Sequence, residues 1–266
     1  MKLIYLPAIF ACIIQNGNTQ ALKKSEAVIL NGHYVYYEIY GKGEPLLLLH
    51  GYTLSTKSWE PFVEEYSKNY EVYLVDLQGH GKSGAFKENL SIKSVAKDVD
   101  ALIKYLNLKN IHAVGYSYGG DVLFQLALMH PGIIKSMISI GACGIWQAKQ
   151  FPELIEFFSF NNIRNLSWMY DHQPNENQIR LILEQFPNYD IVMSDEEIRS
   201  IGTNTLIVLG DKDDSVPLEN VLRVKKNIPH SYLWILPNTG HGAHNENKEE
   251  FVKKSYAFFQ GQWADK

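Results

Sequence analysis

The stretch Gly115-Tyr116-Ser117-Tyr118-Gly119 decides the fold of this chain. It has the pattern Gly-x-Ser-x-Gly, in which glycines on both sides let the backbone make a sharp turn that exposes the serine hydroxyl. A strand-like run at residues 110–114 leads into the turn, and a helix-like run at residues 120–129 follows it. The sequence therefore predicts a strand, a tight turn and a helix, with Ser117 as a nucleophile. The alternative is a purely structural turn with an exposed serine.

Other chemistry-bearing residues follow strand-like runs in the same way. Residues 46–49 precede His50-Gly51-Tyr52, residues 205–209 precede a cluster of aspartates, and residues 232–236 precede Gly240-His241. Strand-like and helix-like runs alternate over most of the chain, which predicts an α/β fold with a parallel sheet covered on both faces. Along the chain, the candidates for a nucleophile, an acid and a base come in the order Ser, Asp, His.

With these motifs in this order, the chain resembles the α/β-hydrolase fold family. Within the family it is most similar to the small serine esterases, perhydrolases and carbon–carbon bond hydrolases. The resemblance runs from about residue 28 to residue 259 and implies a mostly parallel eight-stranded sheet with helices on both faces. It also implies three segments after the amino terminus: a core formed by residues 22–143 and 201–266, and a short helical cap inserted at residues 144–200.

The resemblance also implies the roles of individual residues. Ser117 is the nucleophile, and a histidine must lie within hydrogen-bonding distance to accept its proton. His241 matches the family pattern for that base, and His244 is its rival. The sequence alone leaves the acid open between Asp211, Asp213 and Asp214, whereas the family spacing from Gly210 to Val216-Pro217 selects Asp213.

Two backbone N–H groups are needed where an ester oxygen gains negative charge. By resemblance these donors are the N–H groups of Tyr52 and Tyr118. For the substrate pocket, the side chain of Tyr52 and three aromatic residues of the cap, Trp146, Phe157 and Trp168, are the candidates. The sequence holds no cluster with metal-ligand spacing, so no metal and no cofactor are expected.

These residues favour a cofactor-independent serine hydrolase that cleaves a small or medium apolar carboxylic ester through an acyl-enzyme. Lactonase, aminopeptidase or amidase, and carbon–carbon bond hydrolase activities remain alternatives because they use the same three side chains. A non-catalytic small-molecule binder is an alternative from a different class. Ser117 in place of an aspartate argues against epoxide hydrolase and dehalogenase chemistry.

Length and composition limit the classes of protein to consider. With 266 residues the chain suits one α/β domain with a modest insertion, and a net charge of −4 gives no support for nucleic-acid binding. The expected partner is a small-molecule substrate, with no stable membrane span. The oligomeric state is left open.

The amino terminus has the order of an export signal. Lys2 is followed by an apolar run at residues 3–14, a polar stretch, and small residues up to Ala21. We expect cleavage near Ala21 and a periplasmic or secreted protein. A cytoplasmic protein and lipid anchoring through Cys12 are the alternatives. Removal of residues 1–21 would leave Cys143 as the single cysteine, without an intrachain disulfide.

Overall fold

The computed structural model describes residues 22–86 and 88–263, so the predicted signal segment and Cys12 lie outside the described residues. The described strands are the following: β1 (Leu22–Leu30), β2 (His33–Gly41), β3 (Glu44–Leu49), β4 (Tyr70–Asp76), β5 (Ile111–Tyr116), β6 (Ile134–Ile140), β7 (Ile145–Gln147), β8 (Asp190–Val192), β9 (Asn204–Gly210) and β10 (Ser231–Leu236).

Eight of these strands form one sheet in the order β1-β2-β4-β3-β5-β6-β9-β10. β1 and β2 pair antiparallel, β2 pairs antiparallel with β4, and all later neighbours are parallel. The antiparallel β1–β2 hairpin turns at Asn31 and Gly32, whose φ angles of 50° and 78° belong to the turn type that matches strand twist. The predicted fold class, a mostly parallel eight-stranded sheet, is confirmed.

Helices cover both faces of this sheet. The described α-helices are the following: α1 (Glu60–Tyr66), α2 (Ile92–Tyr105), α3 (Tyr118–Met129), α4 (Pro152–Phe157), α5 (Met169–His172), α6 (Glu176–Gln185), α7 (Asp195–Ser200), α8 (Leu218–Asn227), α9 (Ala243–Glu246) and α10 (Lys248–Phe259). α2, α3 and α8 contribute buried residues to one core cluster, and α1 and α10 contribute to the other. Within the described residues, no helix has the length and apolar character needed to cross a membrane.

The strand β3 shows why both faces are filled. Its four consecutive leucines are fully buried: Leu47 and Leu49 join the first cluster, and Leu46 and Leu48 join the second. Successive strand side chains point to opposite faces, so a run without polar residues requires helices on both sides.

The predicted cap, residues 144–200, lies between β6 and β9 and contains helices α4 to α7. It is not only helical, because β7 and β8 form a two-stranded antiparallel ribbon at its two ends. Each of these strands has three residues. Such short strands carry no recognisable alternation, so the sequence did not reveal them.

His244, the alternative candidate for the base, packs among aromatic side chains on the face of the sheet that α1 and α10 cover. Its ring centroid lies 4.6 Å from that of Tyr116, 5.1 Å from Trp59 and 5.6 Å from Phe62. Its Nδ1 has no hydrogen-bond partner in the part of the chain that the structure describes. Burial lowers the pKa of His244 from 6.5 to about 3, because a charged ring would lose its hydration in this apolar environment. His244 is therefore a neutral packing residue.

This burial predicts a proton-linked loss of stability at low pH. Between pH 6.5 and about 3, the unfolded state protonates His244 whereas the folded state does not. The contribution of His244 to the free energy of unfolding therefore falls as the pH decreases, by at most about 1.4 kcal/mol per pH unit. We expect His244→Phe to reduce the slope of unfolding free energy against pH in this window, measured by urea denaturation at several pH values.

Phe251→Leu is the matched control, because it changes packing beside the same ring at 5.9 Å without removing a titratable group. It should lower stability by a similar amount at every pH. An identical slope in wild type and His244→Phe would contradict the assignment.

Candidate active site

Ser117 lies at the turn between β5 and α3 with φ 49° and ψ −116°, a conformation that non-glycine residues rarely adopt. The neighbouring glycines are required by close backbone contacts. A Cβ at Gly115 would lie 2.4 Å from the carbonyl oxygen of Gly119, and a Cβ at Gly119 would lie 2.4 Å from that of Leu49. Any larger residue at either position would displace the turn.

Hydrogen bonds hold this turn from both sides. The N–H of Ser117 donates to the carbonyl of Ile140 at 2.7 Å, which ties the turn to the end of β6. The carbonyl of Ser117 accepts from the N–H groups of Gly120 at 2.8 Å and Asp121 at 3.1 Å. The strained backbone is therefore fixed by the sheet and by the first turn of α3, which is the context in which such strain persists.

Three predicted residues meet at this turn. His241 Nε2 lies 3.0 Å from Ser117 Oγ, and His241 Nδ1 lies 2.8 Å from Asp213 Oδ2. The other carboxylate oxygen of Asp213 accepts from the N–H groups of Ser215 at 2.9 Å and Val216 at 3.3 Å. The Asp213 side chain is fully buried and its orientation is fixed by its own loop.

The other aspartates of the cluster point elsewhere. Asp211 Oδ1 accepts from the N–H of Thr239 at 3.1 Å and so joins the loops after β9 and β10. Asp214 is exposed. Of the three aspartates that the sequence left open, Asp213 is the one in contact with His241.

The histidine of the His50-Gly51 motif has no free nitrogen. Its Nδ1–H donates to the carbonyl of Gly51 at 2.8 Å, and its Nε2 accepts from the N–H of Leu77 at 2.9 Å. Burial lowers the pKa of His50 to about 4, so the ring stays neutral and joins the loops after β3 and β4.

Gly141, at the end of β6, allows His241 to take its position. It has φ +57°, and a Cβ there would lie 2.8 Å from His241 Cε1 and 2.9 Å from His241 Nδ1. A side chain at residue 141 would push the imidazole away from Asp213. No motif in the sequence indicates this role.

A cavity of about 340 Å³ opens beside Ser117 and His241. Its walls are mainly apolar. The predicted residues Tyr52, Trp146 and Trp168 line the cavity, together with Leu154, Phe158, Phe186 and Tyr189 of the cap.

Phe157 was predicted to line the cavity, and this is wrong. Phe157 is the last residue of α4 and is 37% exposed, whereas the next residue, Phe158, faces the cavity and packs on Phe186 with ring centroids 4.6 Å apart. Adjacent residues at a helix end point in different directions. An error of one residue in the sequence prediction therefore selects the exposed ring of Phe157 in place of the ring of Phe158 that faces the cavity.

The loop after β3 is joined to the cap by buried polar contacts. The Tyr52 hydroxyl donates to the carbonyl of Ile182 at 2.6 Å. Gln173 Nε2 donates to the carbonyl of Thr53 at 2.9 Å, and its Oε1 accepts from the N–H of Gly81 at 2.8 Å. Thr53 has φ 67°, which is unusual for a β-branched residue. The cap thus holds the backbone beside Tyr52 in a strained conformation.

The backbone N–H groups of Tyr52 and Tyr118 were predicted to bind the substrate oxygen. Within residues 22–86 and 88–263, neither donates a hydrogen bond to the protein. The Tyr118 ring itself is fully buried and does not line the cavity.

Sequence reasoning missed Asp121, a carboxylate in the cavity wall one helical turn after Ser117. Its Oδ2 accepts from the Tyr189 hydroxyl at 2.7 Å, and its Oδ1 accepts from the N–H of Gly144 at 2.9 Å. An acidic residue in the otherwise apolar run of α3 was the available signal. Among the described residues, no group of three or more His, Cys, Asp or Glu side chains could hold a metal ion.

Comparison with known proteins agrees with this fold. The family model described as alpha/beta hydrolase fold matches residues 44–170. The chain is 28% identical over 256 residues to the AB hydrolase superfamily protein YisY of Bacillus subtilis, covering 82% of this chain and 96% of that protein. It is 25% identical to a pimeloyl-[acyl-carrier protein] methyl ester esterase of Aeromonas hydrophila, covering 82% and 96% respectively.

Solved structures match over most of the chain. The esterase RhEst1 from Rhodococcus sp. ECU1013 has a TM-score of 0.76 at 23% identity, covering 90% of this chain and 98% of that one. A 2-hydroxy-6-oxo-6-phenylhexa-2,4-dienoate hydrolase from Rhodococcus sp. strain RHA1 also has a TM-score of 0.76, at 19% identity, covering 91% and 100%. On its sheet order, the family-model match over residues 44–170 and these relatives, the chain is an enzyme with the α/β-hydrolase fold.

Proposed function

We propose that the protein is a serine hydrolase that cleaves small or medium apolar carboxylic esters through an acyl-enzyme, without a cofactor. One observation carries the proposal. Ser117, His241 and Asp213 are hydrogen-bonded in series, with Oγ–Nε2 and Nδ1–Oδ2 distances of 3.0 and 2.8 Å, at the wall of an apolar cavity. This is the arrangement of a nucleophile, a general base and an orienting acid.

In the first half of the reaction, Ser117 Oγ attacks the ester carbonyl while its proton passes to His241 Nε2. The buried Asp213 carboxylate keeps the other ring proton on Nδ1 and stabilises the imidazolium that forms. His241 then gives its proton to the leaving alcohol. The ester C–O bond breaks, and the acyl group remains on Ser117.

Negative charge develops on the carbonyl oxygen during this attack and needs hydrogen-bond donors. We assign them to the N–H groups of Tyr52 and Tyr118. Their support is that neither N–H donates elsewhere within the described residues, and that Tyr118 directly follows the nucleophile. The hydrogen bonds from Gln173 to the carbonyl groups of Thr53 and Leu54 would keep the Tyr52 loop in place.

In the second half, His241 takes a proton from water, whose oxygen attacks the acyl carbon. The acyl–Oγ bond then breaks, His241 returns the proton to Ser117 Oγ, and the acid is released. No group outside these three side chains and two N–H groups is required. The cap supplies most of the apolar wall, so we assign substrate size selection to it. A cavity of about 340 Å³ lies at the lower end of typical ligand pockets and suits a short or medium chain.

Relatives support an ester as the substrate. Besides the methyl ester esterase, a relative in Haemophilus influenzae that is 23% identical over 246 residues carries the name putative esterase/lipase. An apolar wall also suits the hydrocarbon part of such a substrate.

The first test is hydrolysis of p-nitrophenyl esters of increasing chain length by wild type and Ser117→Ala. We expect Ser117→Ala to fold normally and to lose at least about a thousandfold in kcat, because the remaining groups can only bind and polarise the ester. Retention of more than about a tenth of the wild-type kcat would exclude Ser117 as the nucleophile.

The second test compares two neighbouring aspartates. Asp213→Asn should reduce kcat by about a thousandfold to ten-thousandfold, because an amide at this position favours the wrong imidazole tautomer. Asp211→Asn is the matched control, since its side chain binds the N–H of Thr239 and an amide oxygen can replace that acceptor. We expect its kcat to stay close to that of wild type. A larger loss in Asp211→Asn than in Asp213→Asn would contradict the assigned acid.

A further inference from the structure

The cavity beside Ser117 has an unbalanced set of charged side chains. Of the described residues that line it, none is lysine or arginine, and Asp121 is the one carboxylate. His241 is the one other lining residue with a basic side chain. A substrate carboxylate placed in this cavity would find no fixed cation.

The Asp121 carboxylate is buried without an ion pair within the described residues. It is 2% exposed, and the Tyr189 hydroxyl and the Gly144 N–H that bind it are both neutral donors. Two or more donors that bind the charged form of a carboxylate stabilise that form, but they do not cancel its charge.

Asp121 is ionised at mildly alkaline pH. Burial raises its pKa from 3.8 to about 6, against the effect of its hydrogen bonds, so above pH 6 the carboxylate form predominates. Its neighbours do not compensate this charge: burial raises the pKa of the Cys143 thiol to about 12, and the pKa of Tyr189 lies well above its usual value. The Tyr189 hydroxyl, the backbone N–H groups that bind Asp121 and the nearby His241 all lower the pKa of Asp121, but less than burial raises it.

We propose that Asp121 makes the cavity selective for uncharged acyl chains, so that esters whose acyl chain ends in a carboxylate are rejected. This inference rests on the proposed ester hydrolysis and specifies its substrate class. Two effects act together. The substrate carboxylate loses its hydration on entering an apolar wall, and it is repelled by the Asp121 charge.

The test uses three p-nitrophenyl esters with the same leaving group. They are p-nitrophenyl hexanoate, mono-p-nitrophenyl adipate, which adds a terminal carboxylate, and the methyl ester of that adipate, which removes the charge again. At pH 8 we expect kcat/KM for the charged adipate to be about a hundredfold below that for hexanoate, as repulsion over about 6 Å at an effective dielectric constant of 20 predicts. The methylated adipate should be hydrolysed nearly as well as hexanoate.

Asp121→Asn tests the origin of this selectivity. Asparagine has the same shape and can still accept from Gly144 and bind Tyr189. Whatever the absolute rate of this variant, we expect the ratio of kcat/KM for hexanoate to kcat/KM for the charged adipate to fall at least about tenfold, because the repulsion is removed. Tyr189→Phe is the matched control. It removes the hydroxyl donor but keeps the Asp121 carboxylate, so the ratio of the two kcat/KM values should not fall.

The outcomes separate this inference from the proposed function. If all three esters are hydrolysed and the wild-type kcat/KM for the charged adipate is within about threefold of that for hexanoate, the inference is wrong while the proposed function stands. An unchanged ratio in folded Asp121→Asn also overturns the role of Asp121.

If no ester is hydrolysed, the proposed function fails. The inference is then tested by the binding of two unreactive ligands. Octan-2-one and 7-oxooctanoate have the same chain and differ by the terminal carboxylate. Stabilisation of wild type against heat by octan-2-one but not by 7-oxooctanoate would support the inference. Equal stabilisation by both, or by neither, would overturn it.

Discussion

The strained turn at Ser117 is the constraint on which the site depends. A non-glycine residue with φ 49° and ψ −116° is held between β5 and α3 because the N–H of Ser117 binds Ile140 and its carbonyl binds the start of the helix. The same crowding excludes any Cβ at Gly115 and Gly119. Because the backbone cannot relax, the Ser117 hydroxyl projects from the edge of the sheet toward His241.

Parallel strands bring the remaining residues to that edge. Gly141 follows β6, Asp213 follows β9 and His241 follows β10, and these three strands are consecutive neighbours beside β5 in the sheet. The carboxyl ends of parallel strands meet on one side, where open α/β sheets bind their ligands. Side chains far apart in sequence can therefore meet within hydrogen-bonding distance, and the lack of a side chain at Gly141 leaves room for the imidazole of His241.

The sequence predicted those parts of the structure that depend on residues close together in the chain. The elbow around Ser117 and the buried leucines of β3 predicted the fold, because glycine spacing and apolar runs act within a few residues. It was uninformative where tertiary contacts decide. The choice between Phe157 and Phe158 depends on how a six-residue helix ends, and the pairing of Asp121 with Tyr189 joins residues far apart in the chain. Neither has a local signature.

The central claim is that Ser117 is an activated nucleophile in the folded protein, and labelling by a fluorophosphonate tests it most directly. A phosphonyl group transfers to a serine only when a base accepts its proton and donors stabilise the oxygen that gains charge. The account predicts one adduct per chain by intact mass, located on the peptide that contains Ser117, and no adduct in Ser117→Ala or in urea-unfolded protein. Absence of labelling in folded wild type, or an adduct on another residue, would contradict it.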